Sequence, residues 1–151
     1  MKINIYIIAK KSNDTYDKLI NDFIKMSSKF ANISIHYLFN NEISKAQNIN
    51  EFEAQKVYTK VYTPYLKGFN IALDVLGKQV DTFAFSKLLE DKNEVNFFIG
   101  GAYGFQREFL DLCDHTISLS NLTFAHKIAT LVLGEQIFRS LSILNNHPYH
   151  K

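Results

Sequence analysis

The apolar positions of this chain change period repeatedly along its length, and each change marks a new element. Ile3, Ile5 and Ile7 alternate with their neighbours over Lys2 to Ala9, the period-two signature of a strand. Tyr16, Leu19, Ile20, Phe23, Ile24 and Phe30 then share one helical stripe, with Asn13 or Asp14 placed to cap it. Ile33 to Phe39 returns to a strand. Asn40 to Asn50 is polar and lacks periodicity, which predicts a mobile loop. Helical spacing resumes over Phe52 to Lys67, where Pro64 disfavours helical geometry at Thr63. Phe69 to Val75 reads as a third strand ending at the turn Leu76-Gly77-Lys78, and Asp81 as the N-cap of a short helix through Leu89.

The remaining pattern continues the alternation. Val95 to Ile99 has no polar break after Asn96, as expected of a strand covered on both faces. Phe105 to Cys113 predicts a short helix, Thr116 to Ser120 a fifth strand, and His126 to Asn145 a long helix. Alternating strands and helices of this length predict an α/β fold with a largely parallel sheet. No repeat, low-complexity stretch or linker divides the chain, so residues 1–151 are expected to form a single domain. On the last helix, Ile128, Leu131, Phe138 and Leu141 form one apolar row, and Leu133, Ile137 and Leu144 form a second. One sheet face needs only one such row. The expectation is that one row meets the core and the other a second subunit, with Gly134 permitting close helix approach.

Composition narrows the class. With 46% hydrophobic and 21% charged residues the chain is ordinary for a globular protein, and no apolar run approaches membrane-spanning length. The single cysteine, Cys113, excludes an internal disulfide and fits a reducing cytosol. It lacks a basic partner nearby in sequence and is not expected to be a nucleophile. A net charge of +2 is weak for a protein that grips naked nucleic acid by electrostatics alone.

Three segments carry candidate chemistry. Gly100-Gly101-Ala102-Tyr103-Gly104 follows a buried strand, and glycines there allow positive φ and close approach of a ligand to the main chain. The run matches neither the dinucleotide fingerprint nor the P-loop, because no Gly-Lys-Ser/Thr follows. Leu119 to Phe124 offers main-chain donors and acceptors with Ser120, Asn121 and Thr123 set between apolar residues. Such a loop can hydrogen-bond an adenine edge while Leu119, Leu122 and Phe124 cover its faces; alternatively, its polar residues cap the following helix. His126 stands at that helix start, where the dipole disfavours its protonated form. The tail His147-Pro148-Tyr149-His150-Lys151 holds two histidines but lacks the third ligand of a zinc site, and no metal is expected. Tyr58, Tyr62 and Tyr65 recur at helical spacing and read as packed rings.

Taken in order, Ile99-Gly100-Gly101 with Gly104, then Ser118 to Phe124 with His126, then Glu135-Gln136-Ile137-Phe138-Arg139, then His147 to Lys151 resemble the RlmH family of SPOUT methyltransferases. The resemblance spans essentially the whole chain. It implies a deeply trefoil-knotted α/β fold, S-adenosylmethionine as methyl donor, an obligate homodimer, and N3 of a pseudouridine in 23S ribosomal RNA as the target. It places cofactor contacts on Leu73, Gly100, Leu119, Ser120, Asn121, Leu122, Thr123 and Phe124. It places catalytic or RNA-facing roles on Arg139, His147, Tyr149 and His150. Ala102-Tyr103 and Ala125 depart from the family, which often has Pro-Glu or Ser-Asn in the glycine loop and a proline before the histidine. The low net charge favours the assembled ribosome as substrate. Two competing readings keep the fold: a non-catalytic ribosome-binding protein, and ribose 2′-O methylation, which the tail argues against.

Overall fold

The computed structural model describes residues 1–151. In chain order the elements are β1 (Lys2–Ile7), α1 (Thr15–Ser27), β2 (Asn32–Tyr37), α2 (Asn41–Ile49), α3 (Glu51–Tyr62), β3 (Phe69–Gln79), α4 (Thr82–Leu89), β4 (Glu94–Ile99), α5 (Arg107–Leu112), β5 (His115–Ser118) and α6 (His126–Leu144), with a 3₁₀ turn at Thr63–Tyr65. The five strands form one sheet in the order β2-β1-β4-β3-β5, and every pairing is parallel. The α/β class with a parallel sheet is therefore as the alternation predicts.

Both faces of the sheet are covered. Ile3, Ile5 and Ile7 of β1 with Val95, Phe97 and Ile99 of β4 pack under Phe85 and Leu89 of α4 and Leu133, Ile137 and Leu141 of α6. Tyr6, Ala72 and Phe98 on the opposite face pack under Ile43 of α2, Tyr58 and Tyr62 of α3, and Phe109 of α5. Of the tyrosines of the helical stripe, Tyr58 and Tyr62 are fully buried core, and Tyr65 packs half-buried against the same cluster.

Four local expectations are corrected. Residues 41–49 form α2 rather than a mobile loop: the Asn40 side chain accepts from Ile43 N at 2.8 Å, and Ile43 and Ala46 bury one face. Thr63 adopts αR geometry (φ −51°, ψ −40°) despite Pro64: its N–H and its hydroxyl (2.7 Å) both donate to the Thr59 carbonyl and hold it on the end of α3, while Pro64 sits in the first turn of the 3₁₀ segment where no N–H is needed. Gly77 marks a bulge rather than a turn that ends β3: Leu73 and Lys78 both pair with Ile117, and residues 74–77 arch outward between them. A Cβ at Gly77 would lie 2.6 Å from the Ile117 carbonyl carbon, so glycine lets the strand rejoin its partner. Finally, α6 has Ala125 at its N-cap with no side-chain hydrogen bond, so Ser120 to Thr123 do not cap it.

Candidate functional site

The carboxyl ends of β3, β4 and β5 lie side by side, where ligands bind in open parallel sheets. Three loops leave those ends and enclose a cavity of about 610 Å³, within the usual range of a small-molecule site. The arch of β3 supplies Leu73, Asp74, Val75 and Leu76. The glycine loop supplies Gly100 to Phe105, and the segment from β5 into α6 supplies Ser118, Leu119, Ser120, Leu122, Thr123, Phe124, Ala125 and His126. Glu51 and Gln55 of α3 close the rim.

The glycine loop is held from α3. Gly104 has φ of +70° and its N–H donates to the Gly101 carbonyl at 3.1 Å, closing a tight turn. A Cβ on Gly101 would stand 2.6 Å from Cζ of Tyr58, so this position takes glycine because a buried ring occupies the space. Gln47 donates to the Tyr58 hydroxyl at 2.5 Å, Gln55 donates to the Tyr103 carbonyl at 2.7 Å, and Tyr62 donates to the Ile99 carbonyl at 2.5 Å. The last two contacts tie the loop and the strand that enters it to α3, and the first fixes the Tyr58 ring against Gly101. The sequence reads Tyr58 as a packed ring without showing that it abuts the glycine loop, and it does not single out Glu51 and Gln55, since nothing in the spacing of α3 shows which loop that helix faces. Asp74 is likewise missed, on an arch of β3 that reads as plain strand.

The segment after β5 is ordered by its own polar residues. Ser118 Oγ donates to the Ser120 carbonyl at 2.7 Å, and Leu122 N–H donates to Ser120 Oγ at 3.0 Å. Lys127, just beyond, bonds Ser12, Asp14 and Asp17 and pins the start of α6 to the start of α1. The pKa of His126 is lowered by desolvation of its ring and then by the charge of Lys127, so it is neutral at pH 7. Of the predicted cofactor residues, Leu73, Gly100, Leu119, Ser120, Leu122, Thr123 and Phe124 line the cavity, and Asn121 does not.

The four tail-side residues gather elsewhere. Arg139 donates to Glu135 from Nε at 2.9 Å and from Nη2 at 2.5 Å, and its guanidinium stacks 4.7 Å from the Tyr149 ring centre. Tyr149 donates to Glu135 at 3.0 Å; burial and then that carboxylate raise its pKa, so it keeps its proton. His150 Nδ1 lies 3.3 Å from Arg139 Nη1, with its ring edge-on to Phe83. His147 packs on Phe138 and Phe30, with Nε2 2.9 Å from Lys29 Nζ and a buried Nδ1 that has no partner. None of Arg139, His147, Tyr149 and His150 lines the cavity of its own chain.

Other candidates fall away. Burial, then Asp114, pushes the Cys113 thiol up to about 12, which disfavours the nucleophilic thiolate. No group of three His, Cys, Asp or Glu side chains is placed to share a metal ion, and no helix is long and apolar enough to cross a membrane.

The sequence model described as "Predicted SPOUT methyltransferase" matches residues 1–150. "Ribosomal RNA large subunit methyltransferase H" of Aliarcobacter butzleri is 67% identical over 151 residues, covering all of both chains. The protein of the same name from a Sulfurovum species is 51% identical, again over the full length of both. Among solved structures, the A. aeolicus TrmH/SpoU tRNA modifying enzyme shares the fold, with a TM-score of 0.51 over 98% of this chain and 80% of that one at 14% identity. A cavity at the carboxyl edge of a parallel sheet, walled by the glycine loop and the segment entering the last helix, thus occurs in a chain whose full length matches these relatives: it belongs to the RlmH family of SPOUT methyltransferases.

Proposed function

We propose that this protein transfers a methyl group from S-adenosylmethionine to N3 of a pseudouridine in 23S ribosomal RNA, acting as a homodimer on the assembled ribosome in the cytosol. The observation that carries the reading is the 67% full-length identity to a protein named for large-subunit ribosomal RNA methylation. The residues present fit the donor. The cavity is the size of a nucleoside with an amino-acid arm, its apolar walls include Leu73, Leu119, Leu122 and Phe124, and Gly100 stands on the same wall.

S-adenosylmethionine, when bound, supplies a methyl group on a sulfonium sulfur, which retains the C–S bonding pair as a neutral thioether. The cavity-lining main chain of Leu119, Ser120, Leu122, Thr123 and Phe124 would hold its adenine edge, with Leu119, Leu122 and Phe124 covering the faces. The acceptor N3 forms the new bond to carbon and loses its proton. A base, or a donor to the oxygens beside N3, lowers the barrier. Arg139, His147, Tyr149 and His150 are assigned to that task, with Arg139 on a phosphate or base oxygen. They stand apart from the cavity of their own chain, so in this reading a second copy brings them to it. Tyr16, Leu19 and Met26 of α1 and Ile128 of α6 are exposed apolar residues available for that pairing. The family's trefoil knot belongs to the same proposal.

Mass spectrometry of ribosomal RNA from a deletion strain tests it. Loss of one N3-methylpseudouridine, restored by the gene in trans, is the expected result; an unchanged modification profile overturns it.

A further inference from the structure

The cavity wall carries a charge opposite to that of the whole molecule. The chain has a net charge of +2, yet the cavity is lined by two carboxylates, Glu51 and Asp74, and by no lysine or arginine. His126 adds no compensating charge at neutral pH, being held in its neutral form. Neither carboxylate belongs to any of the ion pairs of the structure, which lie elsewhere. Glu51 accepts only from the uncharged Gln55 amide at 3.2 Å, and Asp74 accepts from Leu76 N–H at 2.9 Å. An asparagine accepts the Asp74 hydrogen bond equally well, so that contact does not require a charge.

We propose that Glu51 and Asp74 make this cavity selective for the positively charged methyl donor over its uncharged by-product. The inference rests on S-adenosylmethionine being the donor. That molecule carries a sulfonium, an ammonium and a carboxylate, for a net charge of +1; S-adenosylhomocysteine has lost the sulfonium charge and is neutral overall. Two unpaired carboxylates on a concave wall favour the first and are indifferent to the second. Transfer of the methyl group removes the charge that held the ligand, so the by-product leaves a site that then prefers fresh donor. Both are positioning and selecting groups through the field they set, and neither has to touch the reacting carbon.

Titration calorimetry on the intact protein tests this with three probes: S-adenosylmethionine, S-adenosylhomocysteine, and sinefungin, whose amine keeps a positive charge at the same place. Glu51→Gln and Asp74→Asn should each raise the Kd of the two cationic ligands roughly three- to tenfold, as expected for carboxylates within several ångströms of a charge at a half-exposed site. The Kd of S-adenosylhomocysteine should stay within about twofold, which also reports that the cavity remains folded. Added salt should narrow the donor-to-by-product ratio in the wild type and not in the double variant. Parallel weakening of all three ligands, or no change in any, overturns the proposal. A wild type that binds none of the three overturns instead the donor reading on which it stands.

Discussion

At the scale of single residues, two positions show how the site is held. Asp17 is almost fully buried at the start of α1, where burial alone raises a carboxyl pKa. The Asp14 N–H, Ser12, Lys127 and Tyr37 all donate to it and outweigh burial, so its carboxyl lies well below the usual range. Because the folded-state value is depressed, the stabilisation is complete above the unfolded value near about pH 4 and is lost as pH falls below it. Asp17→Asn should destabilise the fold by about 1–3 kcal/mol at pH 7, from the loss of charge-assisted hydrogen bonds. Urea titrations should show the gap to wild type closing progressively between roughly pH 4 and pH 2; a gap independent of pH would contradict the assignment. Gly101 is the second position. An alanine there drives its Cβ into the Tyr58 ring, an overpacking worth about 1–3 kcal/mol that the glycine loop relieves by moving. Gly101→Ala should therefore weaken S-adenosylmethionine binding about tenfold or more with little change in far-UV circular dichroism.

At the scale of elements, the long periodic segments were legible in the sequence, and the misses have local causes. The strands β1 and β4 and the helix α6 announce themselves through apolar spacing, and Asp81 caps α4 as its position predicts, accepting from Ala84 N–H at 2.7 Å. The helix α2 was hidden because only Ile43 and Ala46 of its nine residues are buried, while asparagines at positions 40 and 50 supply its ends. Asn50 ends α2 and also caps α3, accepting from Glu53 N–H at 2.9 Å. The bulge in β3 was hidden because a glycine among apolar residues signals a turn and a bulge alike. In the site, the glycine loop and the Leu119–Phe124 segment were legible from small and polar residues placed after strands. The clamp from α3 was not, since it depends on which helix covers which loop. The end of α6 supplies a prediction at this scale. Asn146 has φ of +53°, its N–H donates to Ile143 O at 3.2 Å, and His147 N–H donates to Ser142 O at 2.8 Å, the Schellman arrangement that throws the tail back along the helix. Asn146→Val puts a β-branched residue into the left-handed region at a cost of roughly 1–2 kcal/mol. It should release the tail to limited proteolysis and cut methylation, whereas Asn146→Gly should preserve both.

At the scale of the whole molecule, the position of the tail decides how many chains a working site needs. The cavity reaches Ala129 at the amino end of α6, while the returning tail meets that helix at Glu135 and Arg139. Glu135 is six residues on from Ala129, roughly 9 Å along the axis and about 120° away around it, so the two features lie on different faces. The Arg139–Glu135–Tyr149 cluster, with His150 beside Arg139, keeps the tail on its own helix, so a five-residue end held this way does not swing into its own cavity. In the proposed dimer, the tail of one copy faces the cavity of its partner. Truncation after Asn146 should then abolish methylation while leaving the affinity for S-adenosylmethionine within about twofold, because none of the removed residues lines the cavity. Mixed dimers separate the two geometries. A truncated chain with an intact cavity is paired with a full-length chain carrying Gly101→Ala, at a donor concentration well below the Kd of that variant, where neither methylates appreciably with its own kind. If the tail acts across the interface, the mixture regains methylation, because the intact cavity now faces an intact tail. If the tail serves its own chain, no combination in the mixture holds both parts, and activity stays absent.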